Sequence, residues 1–256
     1  MNKIAPLIDK LFPQNSSIIF LHAHPDDESF LSAGLLHELS IRGRRCAVIF
    51  AAAAAVEGRP QTLTRQNEAG IACKLLGITS IYFLEFCEPK YRGGTASPLV
   101  DQAKERVSES ILATIQKNHI PPPFILVSYD KNGGYGNLDH KVVHDAGLDF
   151  WKNNKISMQP LLEVTINRDN MLRWLDYVRE KNDGEFMPKL SYWIKEFGLP
   201  TKEITHYYQL TDAQLELKRA ALAAHASQVM EDEFPLSLPK GDFKKVFGCE
   251  FFRLMD

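Results

Sequence analysis

Short apolar runs alternate along this chain with longer stretches of helical spacing. Ile4, Leu7, Ile8 and Leu11 recur at helical spacing and predict a short leading helix over 3–12. Ile18, Ile19, Phe20 and Leu21 form a run too short for a helix, between Ser16–Ser17 and a polar cluster, which reads as a buried parallel strand. Phe30, Leu31, Leu35, Leu36 and Leu39 then follow a helical pattern that Gly43 ends. Residues 46–51 read as a second strand running into the alanines at 52–55. Alanine favours helix by propensity, but a strand emerging into a crowded site, where only small side chains fit, is the preferred reading. A helix over 64–76 ends at Gly77, and a third strand spans 81–86. A helix over 100–117 is stopped by Pro121, Pro122 and Pro123. A fourth strand at 124–127 and a helix at 141–151 follow, then a fifth strand at 161–166.

Four rounds of strand, loop and helix predict an α/β protein with a Rossmann-like doubly wound, mostly parallel sheet and helices on both faces. Residues 167–205 break the pattern with aromatic and charged residues and helical stretches near 171–179 and 190–197. They read as a C-terminal insertion or lid within a single domain over 1–256. A helix over 213–230 and a strand over 244–255 complete the prediction.

Composition narrows the function. A net charge of -2 leaves no basic footprint for nucleic acid. No apolar run approaches the ~20 residues that span a bilayer, and the N-terminus lacks the apolar core of a signal peptide. Cys46, Cys73, Cys87 and Cys249 are dispersed without a CxxC and read as buried free thiols of a reducing compartment. A cytoplasmic soluble protein is expected; a homo-oligomer stays open.

The polar cluster after the first strand holds His22, His24, Asp26, Asp27 and Glu28. Ligands of open α/β sheets sit outside the carboxyl ends of strands, where this cluster emerges. His140 follows the exit loop of the fourth strand, on the same expected edge. Two imidazoles and a carboxylate make a common catalytic zinc set, and a neighbouring carboxylate can take a proton from activated water. Asp139 can orient a ligand imidazole. A nucleotide-binding protein would instead carry G-x-G-x-x-G after its first strand, which is absent here.

These residues resemble the LmbE-like or PIG-L family of zinc-dependent N-deacetylases. The family's (P/A)HPDDE motif is matched by Ala23–Glu28, and its G-x-(G/Y)-HxDH motif in part by residues 134–140. Arg65 with Glu68, then Lys218, Ala221, His225, Ser227 and Gln228, and finally Gly248, Glu250, Phe251 and Phe252 match its later signatures. The resemblance covers about residues 16–150 and 205–254. It implies Zn2+ on His24, Asp27 and His140, with Asp26 as general base for the activated water. Asp139 would support the second motif, and Tyr135 would lie near the acetyl group or the developing oxyanion. Arg65 would bind sugar hydroxyls with help from Glu57, and the substrate would be an N-acetylglucosamine-type sugar or conjugate. Asn137 departs from the family, which commonly has a histidine there as oxyanion stabiliser; asparagine can donate a hydrogen bond but no proton. That departure keeps two alternatives open: a metal-dependent amide or N-acyl hydrolase of a non-sugar substrate, and a catalytically impaired binding homologue. His22, His144 and His225 are expected to be mainly structural, and Glu28 to brace the turn.

Overall fold

The computed structural model describes residues 1–92, 94–154, 160–181, 197–230 and 234–255. Its main sheet has eight strands: β1 (Asn2–Lys3), β2 (Ser17–His22), β3 (Arg45–Phe50), β4 (Ser80–Phe83), β5 (Phe124–Tyr129), β6 (Leu161–Thr165), β7 (His206–Gln209) and β8 (Cys249–Met255). They lie in the order β1-β7-β8-β6-β5-β2-β3-β4. Strands β2 to β6 are mutually parallel. Strand β8 runs antiparallel between β6 and β7. The helices are α1 (Asp27–Leu31), α2 (Ala33–Ile41), α3 (Pro60–Leu75), α4 (Lys104–Lys117), α5 (Leu138–Asn153), α6 (Arg168–Lys181), α7 (Asp212–Ala223) and α8 (Lys240–Phe247). Helices α4 and α5 pack together, and α7 packs on α2 and α3.

The parallel part explains where a site can form. From β2 the chain winds outward through β3 and β4, then returns to the other side of β2 with β5 and β6. Successive connections therefore diverge between β2 and β5, which leaves a crevice at their carboxyl ends. Both strands are buried along their whole length, as strands covered on two faces must be.

The expected α/β architecture holds, and several boundaries move. The leading segment is a 3-10 turn at Ala5–Leu7 and a single α turn at Ile8–Leu11. The alanine run is not helical: the amides of Ala51 and Ala52 donate to the carbonyls of His22 and Ala23, both at 2.8 Å, carrying the β2–β3 ladder past the strand ends. Ala51, Ala52 and Ala53 are buried there. The third strand stops at Phe83; Phe86–Cys87 pairs separately with Ser97–Pro98. Helix α4 begins only at Lys104, after a 3-10 turn at Leu99–Asp101. The expected strand over 244–255 starts at Cys249, because Phe243 and Phe247, four apart, bury one face of α8 first. The helix expected over 213–230 ends at Ala223. Strands β1 and β7 were not expected; two and four residues are too few for a period to register.

Within 167–205, helix α6 packs against the body of the fold. Met171, Trp174, Leu175 and Val178 of α6 are buried in the main core. The helical stretch expected near 190–197 falls, apart from Phe197, outside the described residues, as does Trp193. No helix among the described residues is long and apolar enough to cross a membrane.

Candidate active site

Two connections leave the sheet at the crevice. After β2 the chain turns sharply through Pro25 and Asp26 into α1. The amide of His24 donates to Asp27 Oδ2 at 2.8 Å, folding that carboxylate back under the turn. After β5, Gly133, Gly134 and Gly136 all take positive φ, and α5 then begins, bringing in His140. A Cβ at Gly133 would stand 2.9 Å from His140 Cβ, so a side chain there would displace the imidazole. Tyr129, at the end of β5, joins the two connections. Its hydroxyl accepts from the Ala23 amide and donates to Asp27 Oδ2, each at 2.6 Å, and its ring stacks on His140 at 4.1 Å. Nothing in the sequence pattern singled out Tyr129; only strand pairing sets it against Asp27.

The donor set fits a divalent cation. His24 Nδ1, His140 Nε2 and Asp27 Oδ2 lie within 4.8 Å of one another. The other imidazole atoms are committed: His140 Nδ1 lies 3.1 Å from the Gly133 carbonyl and His24 Nε2 lies 3.0 Å from Asp139 Oδ2. Each ring nitrogen that donates outward leaves its partner's lone pair facing inward. Those two lone pairs, 3.1 Å apart, share the space with a carboxylate oxygen 3.5 Å from His24 Nδ1 and 3.3 Å from His140 Nε2. Such a convergence of acceptors attracts positive charge. With protein atoms alone, burial works against a proton on His24, yet its bonds to Asp139 and Asp27 win and push its pKa up to about 9. Asp27 is held well below the usual carboxylate range; burial opposes this, and the charge and bonds of His140 and His24 outweigh it.

Around this group stand the remaining expected residues. Asp26 is pushed up to about 7 by burial and by the Asp27 charge, against the pull of Arg65, His225 and His24. Its backbone has φ 128, a conformation that non-glycine residues rarely adopt. Tyr135 meets the His140 ring edge-on at 4.9 Å. Burial, with the Asp27 and Asp26 charges, keeps its phenol protonated well above the ordinary range. Asp139 bonds His24 rather than its neighbour His140, which the Gly133 carbonyl orients instead. Asn137 is the N-cap of α5: its Oδ1 accepts from the amides of Asp139 at 2.8 Å and His140 at 3.4 Å. Arg65 is buried, bonds the Pro25 carbonyl at 3.1 Å and pairs with Glu88. Glu57 is exposed on a turn, and no hydrogen bond or ion pair among the described residues joins it to the histidine and carboxylate group.

The later signature residues turn out to be buried couplings. His225 Nε2 lies 2.7 Å from Glu28 Oε1, with both side chains wholly enclosed. Glu68 accepts from Ser227 twice, from its amide at 2.8 Å and its hydroxyl at 2.6 Å. Lys218 pairs with Glu250 at 2.8 Å, and Glu250 also accepts from the Gly34 and Leu35 amides that open α2. His22 bonds Ser32, and His144 bonds the Tyr129 carbonyl, so both are structural.

A Rossmann-like sheet with a His-Asp-His group at its switch point and ionisable residues beside it places the chain in the α/β class, with a candidate metal site of the kind that hydrolases use. More narrowly, residues 19–151, just over half the chain, match the family described as PIG-L, GlcNAc-PI de-N-acetylase, and the chain belongs to this LmbE-like family of deacetylases. Among its relatives is the 1D-myo-inositol 2-acetamido-2-deoxy-alpha-D-glucopyranoside deacetylase of Thermobispora bispora, 27% identical over 93% of this chain and 87% of that one. The fold is shared with the zinc-inhibited form of teicoplanin deacetylase, at a TM-score of 0.63 and 14% identity, covering 94% of this chain and 98% of that one. It is also shared with N,N'-diacetylchitobiose deacetylase from Pyrococcus horikoshii, at 0.59 and 15% identity, covering 97% and 86%.

Proposed function

We propose that the chain is a zinc-dependent hydrolase that removes the acetyl group from an N-acetylglucosamine-type sugar or conjugate. The observation that carries this reading is the convergence of His24 Nδ1, His140 Nε2 and Asp27 Oδ2 beside Asp26. The family match and the sugar-directed activity named for the Thermobispora relative support it. His24, Asp27 and His140 would hold the ion. Bound there, zinc supplies Lewis acidity that polarises a carbonyl and makes water more acidic.

The chain's own residues supply the rest. Asp26, as carboxylate, accepts the proton of the attacking water and returns it to the departing amine. A base with a pKa near the working pH serves both steps, and its value of about 7 without metal falls when a cation sits beside it. The protonated phenol of Tyr135 donates to the oxygen that becomes negative as water adds. Asn137 spends its oxygen on the helix amides, so its NH2 is the end that donates, and the cap fixes its orientation. A single donor of this kind is worth roughly 2.7–4 kcal/mol. Asp139 fixes the tautomer of His24. Arg65 and Glu57 are proposed to meet sugar hydroxyls, Arg65 from the small crevice it lines with Pro25 and Glu88. Four free cysteines fit a reducing compartment such as the cytoplasm.

Acetate release from N-acetylglucosamine conjugates tests the reading. The zinc-loaded protein is expected to turn over, chelation to stop it, and added zinc to restore it. Asp26→Ala is expected to abolish turnover with zinc still bound. Full activity in that variant, or in metal-free protein, would sink the mechanism. Asn137 favours a second reading, a different acylated amine as substrate; release from simple N-acetyl amines but from no sugar would select it.

A further inference from the structure

Asp26 stands in a backbone conformation that costs energy to hold, and its neighbours show what holds it. The peptide group between Pro25 and Asp26 is gripped at both ends. Its carbonyl accepts from Arg65 Nη2 at 3.1 Å, and its N–H donates to Glu28 Oε2 at 3.1 Å. Each gripping residue is itself fixed. Arg65 pairs with Glu88. The other oxygen of Glu28 takes bonds from Ser29 at 2.5 Å and from the fully buried His225 at 2.7 Å. The turn that carries His225 is tied through Ser227 to Glu68 of α3, the helix that also carries Arg65. One rigid frame therefore reaches both sides of a single peptide unit.

We infer that Arg65 and the Glu28–His225 pair form a clamp on the Pro25–Asp26 peptide that locks Asp26 into its left-handed conformation and so aims its carboxylate. This rests on the reading of Asp26 as the general base. Glu28 and His225 are then positioning residues, and Arg65 positions the peptide in addition to its proposed contact with sugar hydroxyls. The late histidine signature, some two hundred positions from the acidic turn, contributes to catalysis without touching substrate. An unclamped residue 26 relaxes to negative φ, and its carboxylate swings away.

The test compares two residues of the same turn in the zinc-loaded protein. His225→Ala removes the support of Glu28. A misplacement of about 1 Å is worth up to about 100-fold, so kcat is expected to fall roughly 10- to 100-fold with KM and zinc content unchanged. His225→Gln keeps an N–H toward Glu28 and is expected to recover part of the loss. Ser227→Ala acts one step further from the peptide: it lowers the melting temperature by loosening the turn and costs kcat much less than His225→Ala does. A crystal structure of His225→Ala is expected to show residue 26 at negative φ. Unchanged kcat in His225→Ala, an equal loss in Ser227→Ala, or residue 26 still at positive φ in that crystal structure would each overturn the clamp. If the unaltered protein releases no acetate from any sugar, the deacetylase reading fails by itself, and the φ of residue 26 in His225→Ala still decides the clamp.

Discussion

Charge placement at single residues sets much of this site's behaviour. His24 and Asp27 recruit a proton where a cation fits, so metal binding must displace it. Zinc titration of chelated protein near neutral pH, in buffers of different ionisation enthalpy, is expected to show about one proton released per ion; a value near zero would mean that His24 is already neutral. The Glu28–His225 pair gives a pH signature of its own. Burial alone would raise Glu28, but the His225 charge and bond hold it below its ordinary 4.5. Its contribution to stability is therefore present above that value and lost as pH falls through the lowered one. Burial alone would lower His225, but Glu28 holds it above 6.5. That contribution is present below 6.5 and lost as pH rises through the raised value. Glu28→Gln is thus expected to flatten both limbs of melting temperature against pH. Asp26 gives a third test. At φ 128 only glycine is unstrained, so Asp26→Gly is expected to be more stable than Asp26→Ala by about 1–3 kcal/mol in urea unfolding. Equal stability would mean that residue 26 is unstrained.

Among the elements, α5 shows how one residue serves two purposes. Asn137 caps the helix that delivers Asp139 and His140, and asparagine is among the best caps. Asn137→Ala is expected to cost about 0.5–2 kcal/mol of stability in denaturant unfolding, whereas Asn137→Ser should restore most of it. If both variants match the parent, the cap is immaterial. Asn137→His separates the roles. A gain in rate with a loss of stability would show that the cap was retained at the expense of the oxyanion donor. The helix pattern of α5 was legible from its apolar positions, but its start was read three residues late, at 141. The cap lies in a polar stretch where period carries no information.

Across the whole molecule, the buried Lys218–Glu250 pair joins α7 to β8 and, through the Gly34 and Leu35 amides, to α2. Both side chains are almost wholly enclosed. Lys218→Met would strand the Glu250 carboxylate and is expected to cost about 3–5 kcal/mol in denaturant unfolding. Adding Glu250→Gln should return much of that loss. A cost under about 1 kcal/mol for the single change would mean that water reaches the pair.

The chain's linear pattern was enough for β2, β3, β5 and β6, because buried parallel strands read as short continuous apolar runs; β4, half-buried at the sheet edge, showed the same kind of run but a later end than the strand has. It was also enough for the acidic turn, whose donors are contiguous. Tertiary structure decided what adjacency cannot encode. Tyr129 reaches Asp27, Asp139 reaches His24 and His225 reaches Glu28 only because β2 and β5 are neighbours at the switch point and α7 packs against the α1 turn. Those contacts join residues about 100 to 200 positions apart. Hydrogen bonds at that separation leave no period in the sequence, because their geometry exists only once the layers have packed.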